Sequence, residues 1–202
     1  MERQLEIARE LQALAQTGLY YCKDKFCHER YTRIREIAAE MLAERMDLPL
    51  EKVKDLFCGD VGYQTPKIDT RAAIFKDGKI LLVCSDMGWT LPGGWCEVHM
   101  SPVASTIKEV REEAGLNCVV EKIIAVQDRA KHNRPLYIFD VVKIFYLCKS
   151  MGGEFVPNIE TTARDYFSED NLPAMDVARC TVEQVKLCFE AARAENWEPY
   201  FD

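Results

Sequence analysis

The feature that most constrains this chain is a tight loop, a helix and a helix-ending residue encoded together in residues 92–116. A Gly-Gly pair at 93–94 precedes the helix, and Ser101 followed by Pro102 is typical of a helix N-terminus. Gly115 is typical of the left-handed residue that ends a helix. Between these signals, apolar residues recur at helical spacing: Val103, Ile107, Val110 and Ala114. The stretch is therefore predicted to form one amphipathic helix after a loop.

The predicted helix carries three glutamates on a second face. Glu109, Glu112 and Glu113 stand at i, i+3 and i+4, a spacing at which like charges repel each other. They lie toward the C-terminal end of the helix, where the macrodipole also disfavours anions. A hard divalent cation bound by carboxylate oxygens would turn this repulsion into attraction. A solvated acidic surface is the simpler interpretation, but it leaves the glycines on both sides of the helix unexplained.

These positions together resemble the Nudix box: a glycine, five residues, Glu, seven residues, then Arg-Glu-apolar-x-Glu-Glu-x-Gly-apolar. The matching residues are Gly94, Glu109, Val110, Glu112, Glu113, Gly115 and Leu116. The resemblance implies an α/β fold, the Nudix α/β/α sandwich with a mixed sheet. It also implies that the three glutamates are catalytic and bind Mg²⁺ or Mn²⁺, with Gly94 as a further ligand.

Two positions of the box differ from the family pattern. Its first Glu falls on Met100, which has neither charge nor hydrogen-bonding capacity. Its Arg falls on Lys108, which keeps the charge but lacks the planar guanidinium. In the family that first Glu mostly supports the metal-binding residues, so the differences bear on activity more than on metal binding.

Residues 1–61 are predicted to form a small all-helical domain ahead of a Nudix domain at residues 62–202. Three helices are expected: one of about 15 residues at the start, one over Glu29–Arg45, and a short one after Pro49. So small a helical set buries little apolar surface. It is expected to pack on the second domain or on another copy, which predicts a homodimer. A helix-turn-helix DNA reader is the alternative, although no basic recognition helix stands out.

From Gly62 onward the pattern changes to strands and turns. The predicted strands are Lys67–Phe75, Lys79–Cys84, Cys118–Val126, Tyr137–Leu147 and Glu160–Ser168, and the closing helix is Thr181–Asn196. Strands, helix, strands and helix in this order favour a mixed sheet between helices.

Outside the box the chain resembles one Nudix branch, which has an N-terminal helical extension and includes ADP-ribose and CDP-choline pyrophosphatases. The residues that carry this resemblance are Gly62–Lys67, Asp128-Arg129 and Lys131-His132. The branch usually has a Glu at the position of Ala163. The resemblance implies hydrolysis of the pyrophosphate bond in a nucleoside diphosphate linked to another group, by a metal-activated water.

The substrate contacts and the catalytic base have several candidates. Arg71, Arg129, Lys131 and His132 are predicted to contact phosphates or ribose, and Tyr63 or Trp89 to stack on the base. Arg71 is the strongest of these, because a cation inside an apolar strand needs a partner. The base must lie within hydrogen-bond reach of the attacking water, and its candidates are Glu112, Glu97, Glu154 and Glu160.

Composition bears on the alternative functions and on the location of the protein. The net charge of −7 argues against a nucleic-acid binder and therefore against a hydrolase of RNA ends. The sequence contains no apolar run long enough to span a membrane. Its nine cysteines are scattered without a secretion signal, which predicts reduced thiols and a cytoplasmic location. A Nudix protein that binds nucleotide or metal as a sensor or scaffold stays open, although the retained glutamates argue against it.

Overall fold

Three helices make up the N-terminal part of the chain: α1 (Glu2–Tyr21), α2 (Lys25–Met46) and α3 (Leu50–Phe57). The structure is a computed structural model that describes residues 2–202. The predicted three helices are confirmed, but α2 begins at Lys25, four residues before Glu29. The reason is local, because the side chain of Asp24 caps the helix by accepting from the main-chain nitrogen of Cys27 at 2.9 Å.

The chain divides into two units, and the first contains more than the three helices. It comprises the described residues up to Pro66 together with Leu136–Phe139, a segment far along the sequence. The core of this unit is formed by residues of all three helices: Leu5, Ala8, Ala38, Ala39, Leu42, Val53 and Phe57. Leu136 and Ile138 pack against this core. The predicted strand Tyr137–Leu147 therefore begins only at Val141, because its first residues pack against helices.

The second unit comprises Lys67–Pro135 and Asp140–Asp202 and contains one seven-stranded sheet. Its strands are β1 (Lys67–Lys76), β2 (Lys79–Ser85), β3 (Gly88–Thr90), β4 (Cys118–Asp128), β5 (Val141–Ser150), β6 (Ala163–Phe167) and β7 (Tyr200–Phe201). The order is β3-β2-β1-β5-β4-β7, with β6 paired to β2. Strands β1 and β5 pair in parallel, whereas β4 and β5 are antiparallel, so the predicted mixed sheet is confirmed.

One helix covers each face of this sheet. Helix α4 (Pro102–Ala114) buries Val110 and Ala114 against one face, and helix α6 (Val182–Arg193) buries residues such as Val185 and Phe189 against the other. The predicted α/β/α sandwich is thereby confirmed. A short helix α5 (Arg129–His132) and the strand β7 were not predicted, because neither is long enough to show a hydrophobic period.

Two further findings concern the chain as a whole. All nine cysteines are free thiols, in agreement with the prediction from their spacing. No helix within residues 2–202 is long and apolar enough to cross a membrane.

Candidate active site

Helix α4 is fixed at both ends by the signals present in its sequence. The hydroxyl of Ser101 accepts a hydrogen bond from the main-chain nitrogen of Ala104 at 3.1 Å, and Pro102 occupies the first turn. Gly115 ends the helix with a φ of 64°, and its nitrogen donates to the carbonyl of Arg111. The predicted helix is confirmed, and both of its ends are defined.

The loop before α4 runs beside β1 as if it were another strand. Main-chain nitrogens of β1 donate to the carbonyls of Pro92 and Gly94, at 2.8 and 2.9 Å. Gly93 has a φ of 143°, and a Cβ atom at this residue would lie 2.0 Å from the carbonyl oxygen of Thr70. Only glycine fits so close to β1. This close approach sets the distance between the loop and the glutamates of α4.

Two of the three glutamates reach this glycine loop. The main-chain nitrogen of Gly93 donates to Oε2 of Glu113 at 2.7 Å. A Cβ atom on Gly94 would lie 3.1 Å from the carboxyl group of Glu109, so that carboxylate packs directly against Gly94. Glu112 is exposed, and its carboxylate accepts from Nζ of Lys108 at 2.6 Å. The loop and the helix together therefore gather carboxylates at one place.

The surroundings of these carboxylates favour their protonated forms. Burial raises the pKa of Glu113 to about 7, against the opposing effects of Arg71 and of the Gly93 amide. Burial also raises the pKa of Glu109, and the negative charges of Glu112 and Glu160 raise it further. A divalent cation would relieve both effects, because it supplies the positive charge that the site lacks.

The donors at this place suit a hard divalent cation. Carboxylate oxygens of Glu109 and Glu113 lie at the glycine loop. The carboxylate of Glu112 and the carbonyl oxygen of Gly94 stay predicted further ligands, and oxygen atoms of these kinds are the ligands that Mg²⁺ prefers. Within residues 2–202, no three His, Cys, Asp or Glu side chains already enclose a metal site. Mg²⁺ usually keeps several waters and is completed by substrate phosphates, so an incomplete protein shell fits this ion.

Lys108 joins the helix to the loop in a way that the sequence did not predict. Besides Glu112, its ammonium group contacts Oε1 of Glu97 at 3.1 Å. Hydrogen bonds to Glu112 and Glu97 raise the pKa of Lys108, which therefore stays charged. Glu97 thus supplies a carboxylate to Lys108 on the loop where the box pattern would have placed one at Met100.

Arg71 forms part of a buried charge cluster with Asp69 and Lys143. Its guanidinium donates to both carboxylate oxygens of Asp69, at 2.9 and 2.6 Å, and Nζ of Lys143 contacts Asp69 Oδ1 at 2.7 Å. Arg71 also lies close enough to lower the pKa of Glu113. The expectation that this cation has a partner is confirmed, and its contact with substrate stays a prediction.

The other three predicted cations have protein partners away from the glutamates. Arg129 is buried, and it donates to the carbonyls of Pro135 and Ala178 at 2.9 and 3.0 Å. Lys131 and His132 both contact the carboxylate of Asp202, at 3.6 and 3.0 Å. These contacts explain the three residues structurally, and a role in substrate binding stays a prediction for each of them.

The two predicted aromatic contacts lie in different units. Trp89 belongs to β3 and packs edge-on against Phe167, with ring centroids 4.8 Å apart. Tyr63 belongs to the first unit and is exposed. Trp95, which directly follows the glycine loop, is a further aromatic residue and is 45% exposed.

Sequence reasoning missed a cation on the turn before α6. The carboxylate of Asp176 is buried and contacts Nε of Arg179 at 3.3 Å. It also accepts from the main-chain nitrogen of Ala178. Arg179 is partly exposed and lies close enough to Glu113 to lower its pKa. No motif marks this turn, and only the spacing of an Asp three residues before an Arg hinted at it.

Comparison with known proteins identifies the family of this chain. Residues 2–57 match the Nudix family model described as a UDP-X-like, N-terminal oligomerisation domain. A protein of Bacillus subtilis (strain 168), provisionally named an ADP-ribose pyrophosphatase, is 38% identical over 200 residues, which cover 98% of this chain and 96% of that protein.

Two solved structures are similar in sequence and fold. A UDP-X diphosphatase is 33% identical over all of this chain and 98% of its own, with a TM-score of 0.65. An ADP-ribose pyrophosphatase of Streptococcus suis 89-1591 is 50% identical over 68% of this chain and 100% of its own, with a TM-score of 0.64.

The chain belongs to the Nudix hydrolase family. The Bacillus subtilis protein and the UDP-X diphosphatase match it over both units, so the N-terminal helices are part of what it shares with these two. It is a Nudix pyrophosphohydrolase of the group that carries the N-terminal oligomerisation domain.

Proposed function

We propose that this enzyme hydrolyses the pyrophosphate bond of a nucleoside diphosphate linked to a second group, of the ADP-ribose or CDP-choline type, with Mg²⁺ or Mn²⁺. The observation that carries the proposal is the contact of Glu109 and Glu113 with the glycine loop. This contact leaves two carboxylates with raised pKa values against the glycine loop, an arrangement that a divalent ion and a diphosphate would complete.

Each residue of the site has a distinct task in this reaction. Glu109, Glu112, Glu113 and the Gly94 carbonyl would hold a divalent cation, which would neutralise the diphosphate and lower the pKa of the attacking water when bound. The Gly93 amide fixes Glu113 in place. Lys108 orients Glu112 from one side, and the buried charge of Arg71 attracts the anionic substrate.

Among the four candidate bases, Glu160 is best supported. Glu97 is already paired with Lys108 and with His99, at 3.1 and 3.3 Å. Glu160 is exposed on the loop before β6, and the side chain of Asn158 joins its main chain to that of Glu112 at the end of α4. A carboxylate beside the metal site, without a place in the metal shell, is suited to accept the proton of the water.

The names of the relatives support nucleoside diphosphate conjugates as the substrate class and add UDP conjugates to it. Relatives at 38 and 50% identity are named as ADP-ribose pyrophosphatases, and one at 33% as a UDP-X diphosphatase. ADP-ribose is therefore the first substrate to test, and UDP conjugates belong in the same panel. The free thiols suit a cytoplasmic enzyme.

We also propose that the enzyme is a homodimer formed through α1. Ile7, Leu14 and Tyr21 recur every seven residues, on the face of α1 opposite its buried row of Leu5, Ala8, Gln12 and Ala15. Leu14 is 59% exposed and Tyr21 is 64% exposed. An apolar row that is exposed to water in a single chain is suited to pack against the same row of a second chain.

Phosphate-coupled assays with ADP-ribose, CDP-choline and UDP-sugars, each with Mg²⁺, Mn²⁺ or EDTA, test the proposed function. We expect metal-dependent turnover of at least one conjugate and no turnover with EDTA. Binding of nucleotide by calorimetry without turnover of any conjugate would contradict the proposal and favour the sensor or scaffold.

A further inference from the structure

The loop between β5 and β6 is tied to the end of α4 by one side chain, Asn158. Its amide nitrogen donates to the main-chain carbonyl of Glu112 at 2.9 Å. Its amide oxygen accepts from the main-chain nitrogens of Glu160 and Thr161, both at 2.9 Å. Because that oxygen receives two N–H groups, the amide can have only this orientation.

Asn158 satisfies a group that the helix cannot satisfy itself. The carbonyl of Glu112 belongs to the last turn of α4, where main-chain oxygens have no partner further along the helix. Asn158 caps this oxygen from outside the helix. The same residue whose carboxylate is a proposed metal ligand is therefore the anchor point of the loop.

The rest of the loop is fixed to the sheet. The nitrogen of Asn158 donates to the carbonyl of Thr161 at 3.0 Å, which closes the turn, and Thr161 is buried. The nitrogen of Thr162 donates to the carbonyl of Cys84 in β2 at 2.9 Å. The turn at 158–162 is thus a rigid bridge between β2 and α4, and Asn158 makes its contact with the helix.

We infer that Asn158 is a positioning residue, which holds Glu160 at a fixed distance from the carboxylates of α4. The main chain of Glu160 is only two hydrogen bonds away from that of Glu112, through the two ends of the Asn158 amide. The inference rests on the proposed function, in which Glu160 is the base. Loss of the amide nitrogen would free the turn from α4 and let Glu160 drift from the site.

Asn158→Asp tests the hydrogen bond of the amide nitrogen separately from those of the amide oxygen. Aspartate keeps an oxygen for the nitrogens of Glu160 and Thr161 but places a second oxygen against the Glu112 carbonyl. Since outer partners of metal ligands typically contribute about 10- to 100-fold, we expect kcat to fall by about that factor, with KM unchanged. Asn171→Asp is the matched control, because Asn171 is exposed on a turn outside the site.

A second readout needs neither metal nor substrate. In the metal-free protein, amide hydrogen exchange measured by NMR reports the protection of the Glu160 and Thr161 nitrogens. We expect Asn158→Ala to lose this protection at both residues while the amides of α4 stay protected. Equal protection in Asn158→Ala and in the wild type would overturn the inference.

A double-mutant cycle with Glu160→Gln separates positioning from a general structural effect. If Asn158 acts through Glu160, Asn158→Asp changes kcat by less than about threefold once Glu160 is already Gln. An additive loss would overturn the inference, and so would a normal kcat in Asn158→Asp. A wild-type chain without turnover on the whole substrate panel would instead overturn the proposed function, so the two failures are distinguishable.

Discussion

The main-chain nitrogen of Gly93 lies 2.7 Å from Oε2 of Glu113 and donates a hydrogen bond to it. Glu113 is 8% exposed, so this amide is one of the few groups that can compensate for its burial. The bond also joins the loop, which runs beside β1, to the helix that carries the other two glutamates. The geometry of the whole site therefore depends on how closely Gly93 approaches β1.

Gly93→Ala is expected to destroy this approach. The new methyl group would lie 2.0 Å from the Thr70 carbonyl oxygen at a φ of 143°, so we expect a loss of unfolding free energy of more than about 2 kcal/mol and loss of turnover. Gly78→Ala is the control, because Gly78 also has a positive φ, of 73°, but nothing lies within 4 Å. Calorimetric unfolding of both variants should show the larger loss for Gly93→Ala.

Glu112→Gln is expected to abolish metal-dependent hydrolysis while leaving the fold nearly intact, because Glu112 is exposed and its carboxylate is a proposed ligand. Loss of an outer partner of a ligand costs about 10- to 100-fold, so loss of the ligand itself should lower kcat by at least about 100-fold. Glu190→Gln, an exposed change on α6, serves as control. Near-normal turnover of Glu112→Gln in steady-state assays would refute the metal assignment.

Met100→Glu tests whether Glu97 already supplies the carboxylate that the box lacks at Met100. Because Glu97 contacts Lys108 at 3.1 Å, we expect Met100→Glu to change the wild-type kcat little. Glu97→Gln should lower kcat by about tenfold, and adding Met100→Glu to it should restore most of the loss. If Met100→Glu alone clearly raised kcat above that of the wild type, Glu97 would not compensate for the carboxylate missing at Met100.

Asp69→Asn should lower the free energy of unfolding of the second unit more than any other change in the buried charge cluster. It would leave Arg71 and Lys143 as two buried cations without their shared anion, which costs about 3–5 kcal/mol. Lys143→Met is the matched variant. It removes one cation and leaves the Asp69–Arg71 pair intact, so we expect it to raise the thermal midpoint at pH 7.

The wild type and Lys143→Met should differ in how their stability depends on pH. Burial lowers the pKa of Lys143 from 10.5 to about 8, although Asp69 opposes this. Between these values the unfolded chain binds more protons at Lys143 than the folded chain, so this residue makes stability rise with pH across that window. Denaturant unfolding across the window should show a steeper rise for the wild type than for Lys143→Met, and equal slopes would refute this.

Leu14→Glu is expected to weaken the proposed homodimer, because it places a charge within the apolar row of α1. The dissociation constant should rise by at least about tenfold, which corresponds to about 1.4 kcal/mol. Light scattering after size-exclusion chromatography would detect the shift to monomer. Gln4→Glu adds the same charge at an exposed position outside the row and should leave the dimer unchanged.

Sequence alone predicted those features whose causes are local. The ends of α4 follow from Ser101 and Gly115, which act within one turn of the helix, and the carboxylate spacing follows from the helical period. The partners of the site come from further away. Lys143 meets Asp69 across a parallel strand pair, 74 residues along the chain, and Asn158 meets Glu112 across 46 residues.

Such long-range pairs leave no periodic trace in the sequence. Parallel pairing of β1 with β5 sets Asp69 opposite Lys143, but neither strand reveals which neighbour it will have. The predicted start of β5 was wrong for a related reason. The apolar and aromatic residues of 136–139 suit a strand as well as a helical core, and only their packing decides between the two.

The segment Leu136–Phe139 has a consequence for any attempt to divide the protein. Because this segment belongs to the first unit, the chain leaves the catalytic unit after Pro135 and re-enters it at Asp140. No single cleavage in the linker near Pro66 would release two complete pieces. A fragment beginning at Lys67 would expose Leu136 and Ile138, which the helical core covers in the whole chain.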